Sequence, residues 1–268
     1  MTQTPAFRPP PGACNCHCHV VGPRARYPVD PAHPAVPPDA PAEALAALQK
    51  RLGLDRVVIV QSLAHGCDNT VTADAIASFG QNARGIALVT ADTDQYEIAT
   101  LARRGFVGIR AHIAGHIPNA AGPEQLLGLS RLCADAGWHI ELHLHGAELE
   151  ALLPVIARLD CPAVIDHMAY PAPELSGSVL RALDLPRVYC KISGIERVDE
   201  DDLTIGARSV IRLIDHAADR LVWGNDWPHI NVRRVDDLAL VDMLATYPAE
   251  ARQLILVDTP DRLYFQER

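Results

Sequence analysis

The chain has 268 residues and a formal net charge of −9. That length suits one α/β barrel, typically about 250 residues, or two smaller domains. Acidic and basic residues are interspersed, with no basic stripe to follow a phosphate backbone, so nucleic acid is excluded as an expected partner in favour of a small polar molecule.

The amino terminus, MTQTPAFRPPPGA, lacks the apolar core of a signal peptide. No apolar run approaches the roughly 18 residues of a membrane span, so a cytoplasmic location without membrane contact is expected. The first strand is expected over Ala13–Val21. The proline-rich stretch Pro28–Pro41 follows, and it reads as a stiff loop across a mouth rather than a polyproline recognition segment. Then come helix Ala42–Leu52, strand Arg56–Gln61, helix Thr70–Phe79, strand Arg84–Val89, helix Gln95–Arg104 and strand Gly108–Ala111. Helix Glu124–Ala136, strand Trp138–Leu144, helix Glu148–Leu159, strand Ala163–Asp166 and helix Ser178–Leu183 continue the pattern. Strand Val188–Ile192, helix Asp202–His216, strand Leu221–Trp223 and helix Asp236–Thr246 complete it, and Ala249–Val257 adds a terminal helix.

Short apolar runs alternating with longer amphipathic stretches are the mark of a parallel sheet built from β-then-α units. Eight consecutive units with right-handed crossovers predict a closed (β/α)8 barrel of the TIM type, in one domain over residues 1–268. An open doubly wound sheet is the alternative, but no G-x-G-x-x-G turn follows the first strand. No Gly/Ser-rich linker or charge block divides the chain.

Chemistry in such barrels sits at the carboxyl ends of the strands. There the sequence places His17 and His19 in CNCHCHVV, His143 in WHIELHLHG, His167 in VIDHMAYP and Asp226 in LVWGNDWPH. A His-x-His pair alone also reads as polar strand residues; three more strand-end ligands or bases give it weight. The two-residue strand period puts Cys14, Cys16 and Cys18 on one face and His17 and His19 on the other, which disfavours a cysteine-based zinc knuckle. The seven scattered cysteines read as reduced thiols. His143 has competitors in His145, His139 and Glu141.

The segments CHCHVVGPRARYP, VQSLAHGCDN, GIR, IDHMAYP, WGNDWPH and DTPDRLY, spanning about Cys16 to Phe265, resemble the amidohydrolase-related superfamily. Within it they are similar to the branch of pyrone-dicarboxylate and sulfomuconolactone hydrolases. The resemblance implies an amidohydrolase-type barrel acting on lactones through an activated water. It carries catalytic roles to Asp226, His167, His17 and His19, and substrate carboxylate binding to Arg110 and, where a second arginine is usual, to His116. A fifth-strand tyrosine of the pyrone hydrolases falls on His143, and the tyrosine expected before the first helix has no counterpart in PAVPPDA. The pyrone dicarboxylate itself is thus not the expected substrate. Ser62, His65, Tyr170 and Ser193 follow strands and are further candidates for lining the pocket.

Metal-dependent members of the wider superfamily carry a fifth-strand histidine as a ligand. The resemblance therefore implies His17, His19, His143 and Asp226 as a metal set, suited to Zn²⁺ and tolerable for Mn²⁺, with metal-free catalysis as the alternative. The expected activity is hydrolysis of a carboxylated or sulfonated lactone from aromatic breakdown. A lactone isomerase and a metal-dependent decarboxylase are enzymatic alternatives, and a silent ligand-binding barrel is the non-enzymatic one. The expected partner is a small anionic lactone, with homo-oligomerisation left open.

Overall fold

The computed structural model describes residues 3–30, 37–113, 121–170, 177–199, 201–230, 232 and 235–266. Its strands are β1 (Cys14–Cys18), β2 (Arg56–Val60), β3 (Ala83–Ala87), β4 (Phe106–His112), β5 (His139–His143), β6 (Ala163–Ile165), β7 (Val188–Ile192) and β8 (Leu221–Trp223). They form one parallel sheet in chain order. Helices α1 (Ala42–Leu52), α2 (Thr70–Phe79), α3 (Gln95–Ala102), α4 (Pro123–Asp135), α5 (Gly146–Ile156), α6 (Gly177–Leu183), α7 (Leu203–Ala217) and α8 (Asp237–Asp242) follow their strands, and α9 (Ala249–Gln253) comes last. This is the (β/α)8 barrel that the alternation predicts. Among the described residues, no helix is long and apolar enough to cross a membrane.

The terminal helix differs from expectation. α9 passes into wide π-type turns at Leu254–Asp258 and Asp261–Phe265. These bring Leu263 and Tyr264 against Cys14, Cys16, Val58, Val60, Ile86, Val164 and Val222, so Tyr264 plugs the amino-terminal end of the lumen. β4 is longer than expected because Phe106 and Val107 precede Gly108 in the strand. Gly108 is a packing requirement rather than a break: a Cβ there would lie 2.8 Å from His139 Nε2.

Alternate residues of each strand face helices or lumen. Val57, Ile59, Ile140, Leu142, Ile165 and Ile192 belong to the outer layer packed by the helices. The same period sends Arg110, His112, Glu141, His143, Asp166, Lys191 and Ser193 inward.

The expected split of β1, cysteines on one face and histidines on the other, is corrected by a bulge. Asn15 pairs with Val57 and Cys18 with Ile59, so β1 takes one residue more than β2 over this span. Cys14 and Cys16 consequently lie in the lumen cluster, below the histidines, and only Cys18 joins the outer layer. All seven cysteines are free thiols.

The barrel closes between β1 and the segment after β8. Cys18 bridges Trp227 in parallel. His19 N–H donates to Trp227 O at 2.7 Å, and Asp226 N–H donates to His17 O at 2.9 Å. This seam leaves no room at Gly224, where a Cβ would fall 2.6 Å from both Cβ and N of His17. Gly224→Ala is expected to destabilise the fold by ~1–3 kcal/mol through overpacking, read as a lower midpoint in chemical denaturation.

Candidate active site

His17, His19, His167 and Asp226 converge at the carboxyl end of the seam. The His17 ring lies 5.0 Å from that of His19 and 4.5 Å from that of His167, centroid to centroid. Asp226 Oδ1 is 3.6 Å from His17 Nε2 and 3.4 Å from His19 Nε2. Its other oxygen takes two hydrogen bonds from Arg197, Nε at 3.0 Å and a terminal nitrogen at 2.5 Å. Burial opposes the Asp226 charge, but its polar surroundings, with the Arg197 guanidinium bonded to one oxygen, hold its carboxyl well below the usual range, so it is ionised.

Backbone conformation shapes this end of the barrel. β6 stops at Ile165, one residue earlier than expected, and His167, Met168, Ala169 and Tyr170 then all take left-handed conformations with φ of 50–57°. Asp226 has φ 60°. For L-residues this costs roughly 1–2 kcal/mol each, a strain that clusters at functional sites when the surroundings enforce it. The turn brings the Tyr170 ring to 5.0 Å from that of His167.

Hydrogen-bond partners fix how each histidine is presented. His19 Nδ1 donates to Val60 O at 2.8 Å, so in the neutral ring Nε2 carries the lone pair. His167 Nδ1 is 2.9 Å from Ser193 Oγ, and its Nε2 lies 3.5 Å from an Arg110 nitrogen that can only donate. Burial keeps His167 neutral, its pKa well below the ordinary value. Burial, then Lys191, lowers the pKa of His17 to about 3.

Below these lies an ionic layer. Asp166, fully buried, takes the Arg110 Nε hydrogen bond at 2.7 Å and lies 3.3 Å from Lys191 Nζ. Lys191, also fully buried, is 2.5 Å from Glu141 and 3.0 Å from His17 Nδ1. Burial opposes the Asp166 charge, but Lys191 and Arg110 keep it ionised. Glu141, Asp166 and Asp226 are thus matched by Lys191, Arg110 and Arg197.

Other expected residues have different settings. His143 stands apart from the convergence: its Nδ1 is 2.7 Å from His112 Nδ1 and its Nε2 is 2.8 Å from Tyr170 Oη. His65 is occupied on both nitrogens, by Pro28 O and Gly22 N–H. Ser62 Oγ accepts from Ala64 N–H and caps a tight turn. The ends of the proline-rich stretch are held by that His65 contact and by pairing of Ala40 with Val21. His116 lies outside the described residues.

Sequence reasoning missed Asp166, Lys191, Arg197 and His112 as site residues. A lysine between Cys190 and Ile192 in a buried strand was a readable signal, since lysines are almost never fully buried unless paired. His112 follows Arg110 by the strand period. Arg197 sits in a loop, and nothing local announces its partner.

Two groups of described residues bring possible ligand atoms within 4.8 Å of one another, His17/His167/Asp226 and His17/Glu141/Asp166. Of the expected set His17, His19, His143 and Asp226, these groups bring together His17 and Asp226, and neither includes His19 or His143. In the second group Lys191 already stands as the cation. The first offers two imidazoles and a carboxylate, a donor set that zinc accepts. However, the Lys191 ammonium stands 3.0 Å from His17 Nδ1, and the neighbouring carboxylates are already charge-matched. These residues fit a ligand that accepts hydrogen bonds better than they fit a dication.

Compared with known proteins, the chain matches the family model described as Amidohydrolase over residues 14–266. It is 32% identical to the 2-pyrone-4,6-dicarboxylate hydrolase of Comamonas testosteroni over 98% of this chain and 93% of that protein. It is 34% identical to the 4-sulfomuconolactone hydrolase of Rhizobium radiobacter, covering 97% and 92%. With the D-galactarolactone isomerase of Agrobacterium fabrum it shares 30% identity, covering 97% and 92%.

His229, beyond Asp226, adds a pH-sensitive support. Its ring lies 3.0 Å from Asp237, the first residue of α8, and 3.7 Å from Glu196, the neighbour of Arg197 in a short helical turn. Burial alone would lower its pKa, but the hydrogen bond to Asp237 and the nearby Glu196 carboxylate outweigh this and raise it from 6.5 to about 9. The stabilisation is therefore complete below about pH 6.5 and is lost as pH rises through about 9. Thermal unfolding across this range should show the decline in wild type and a flatter profile in His229→Gln.

Proposed function

We propose, since the chain belongs to the amidohydrolase family, that it is a lactone hydrolase: it opens a carboxylated or sulfonated lactone from aromatic breakdown by attack of an activated water. The observation that carries the reading is the convergence of an aspartate with three histidines at the barrel seam, in a chain about one-third identical to enzymes named as lactone hydrolases.

The geometry supports a division of labour. Asp226 Oδ1 and His19 Nε2, both acceptors in the ionised and neutral forms, orient the water, and Asp226 takes its proton as the new C–O bond forms. The depressed pKa of Asp226 makes it a modest base, so positioning carries much of the effect. Donors on the opposite side stabilise the oxyanion of the tetrahedral intermediate. When that intermediate collapses, the ring C–O bond breaks and the proton held by Asp226 passes to the departing alkoxide, leaving a hydroxy acid. His167 stays neutral and within reach of that transfer. Arg197, whose side chain is 23% exposed, and the Tyr170 hydroxyl face the substrate's anionic group, with Arg110 held behind by Asp166. The substrate side of the site thus offers hydrogen-bond donors, in keeping with a small anionic lactone.

A second reading puts Zn²⁺ or Mn²⁺ among His17, His167 and Asp226, favoured by the convergence of their ligand atoms. Such an ion, when bound, supplies a water with a pKa near 7. Metal content of protein purified without chelator, with activity before and after stripping, decides between the two.

Purified protein should convert carboxylated or sulfonated lactones to ring-opened hydroxy acids, followed by NMR. Accumulation of a rearranged lactone instead would make it an isomerase, as one relative is named. Asp226→Asn should lower kcat by ~10²–10⁴-fold while the anionic ligand still binds; retention of full turnover would remove Asp226 from the chemistry.

A further inference from the structure

We propose that Lys191 is a positioning residue which holds His17 in the Nε2–H form, so that His17 presents a hydrogen-bond donor to the lactone carbonyl. This deepens the lactone-hydrolase reading and rests on it for the identity of the acceptor.

An ammonium has hydrogens to give and no lone pair to accept with. Lys191 Nζ faces Glu141 Oε2 at 2.5 Å, Asp166 Oδ1 at 3.3 Å and His17 Nδ1 at 3.0 Å, all acceptors. Accepting from Lys191 requires a lone pair on Nδ1. A neutral imidazole has one N–H, which must then be on Nε2.

The resulting Nε2–H is fully buried and has no hydrogen-bond partner among the described residues. Its nearest carboxylate oxygen, on Asp226, is 3.6 Å away, too far for a good bond. A buried donor left without a partner is costly, and a substrate oxygen that takes the bond recovers that cost where charge develops. His19, two residues on, is set the other way by Val60 O and offers an acceptor. The His-x-His pair therefore gives one donor and one acceptor side by side, a donor for the carbonyl oxygen and an acceptor for the water.

The competing arrangement uses Asp166. Its Oδ1 is 3.4 Å from His17 Nδ1; if it accepted a hydrogen from that atom, Nε2 would be left as a lone pair available to a metal. Oδ1 makes no directional hydrogen bond, and Lys191 is the closer neighbour. Without the lysine, Asp166 is the acceptor that remains.

The test is the tautomer of His17, read from imidazole ¹⁵N shifts of the full-length labelled protein, with the resonance assigned by its loss in His17→Gln. In wild type, Nδ1 should have the shift of an unprotonated nitrogen and Nε2 that of a protonated one. In Lys191→Met the pattern should reverse, with kcat for lactone opening down by about tenfold or more and KM changed by less than about threefold. Lys191→Met leaves Glu141 unpaired, so Lys191→Met/Glu141→Gln provides the same reading with the charge balance restored. A wild-type His17 protonated on Nδ1, or a double variant that keeps Nε2–H and full kcat, overturns the proposal. Absence of lactone turnover in wild type would defeat the functional reading alone, because the tautomer and its reversal are measured without substrate.

Discussion

Charge taken out of water must be matched at close range, and this barrel is built around that requirement. Its lumen holds Glu141 and Asp166 with Lys191 between them, and Arg110 on the far side of Asp166. Each group alone would be expelled or neutralised, since desolvation of an unpaired ion costs several kcal/mol or more. Together they form a layer that the apolar plug of Tyr264, Leu263 and the lower valines closes from below. Removal of any one partner leaves another buried and unpaired, so this layer ties β4, β5, the turn after β6 and β7 into a single electrostatic unit.

The reactive groups rest on that layer and on the seam that closes the barrel. His17 touches Lys191 from above, while its backbone carbonyl takes the Asp226 N–H across the β1–β8 junction. Closure and site assembly are thus the same event. The bulge in β1 places the histidines above the lumen cysteines at this level, and the left-handed turn after β6 folds Tyr170 back over His167. Both features depart from regular geometry, and both lie where side chains must be aimed rather than merely packed.

Polarity is what gives the cluster a direction. Asp226 is ionised and held on one oxygen by Arg197, leaving the other toward the histidines. Acceptors gather on the side of the proposed water, and donors and guanidinium groups gather on the side of the proposed substrate. Hydrolysis and isomerisation of a lactone share the tetrahedral intermediate that such an arrangement stabilises. The difference between them lies in whether water or a substrate hydroxyl occupies the acceptor side.

The sequence by itself determined the order and type of the elements, the closed barrel they build and the convergence of His17, His19, His167 and Asp226. These follow from local periodicity: period two and period 3.6 are written in neighbouring residues, and strand ends in a barrel share one rim. It also pointed to Arg110, though not to its buried partner. Tertiary structure alone decided the pairings of Lys191, Asp166 and Arg197, the engagement of His143 with His112 and Tyr170, and the slip in β1 that brings Cys14 and Cys16 inside. A bulge is one unpaired residue with no compositional mark in CNCHC, and an ion pair between strands far apart in the chain depends on register and shear around the barrel. Which nitrogen of His17 bears the hydrogen is likewise set by a residue 174 positions away, because the tautomer answers to the nearest donor in space rather than to its neighbours in sequence.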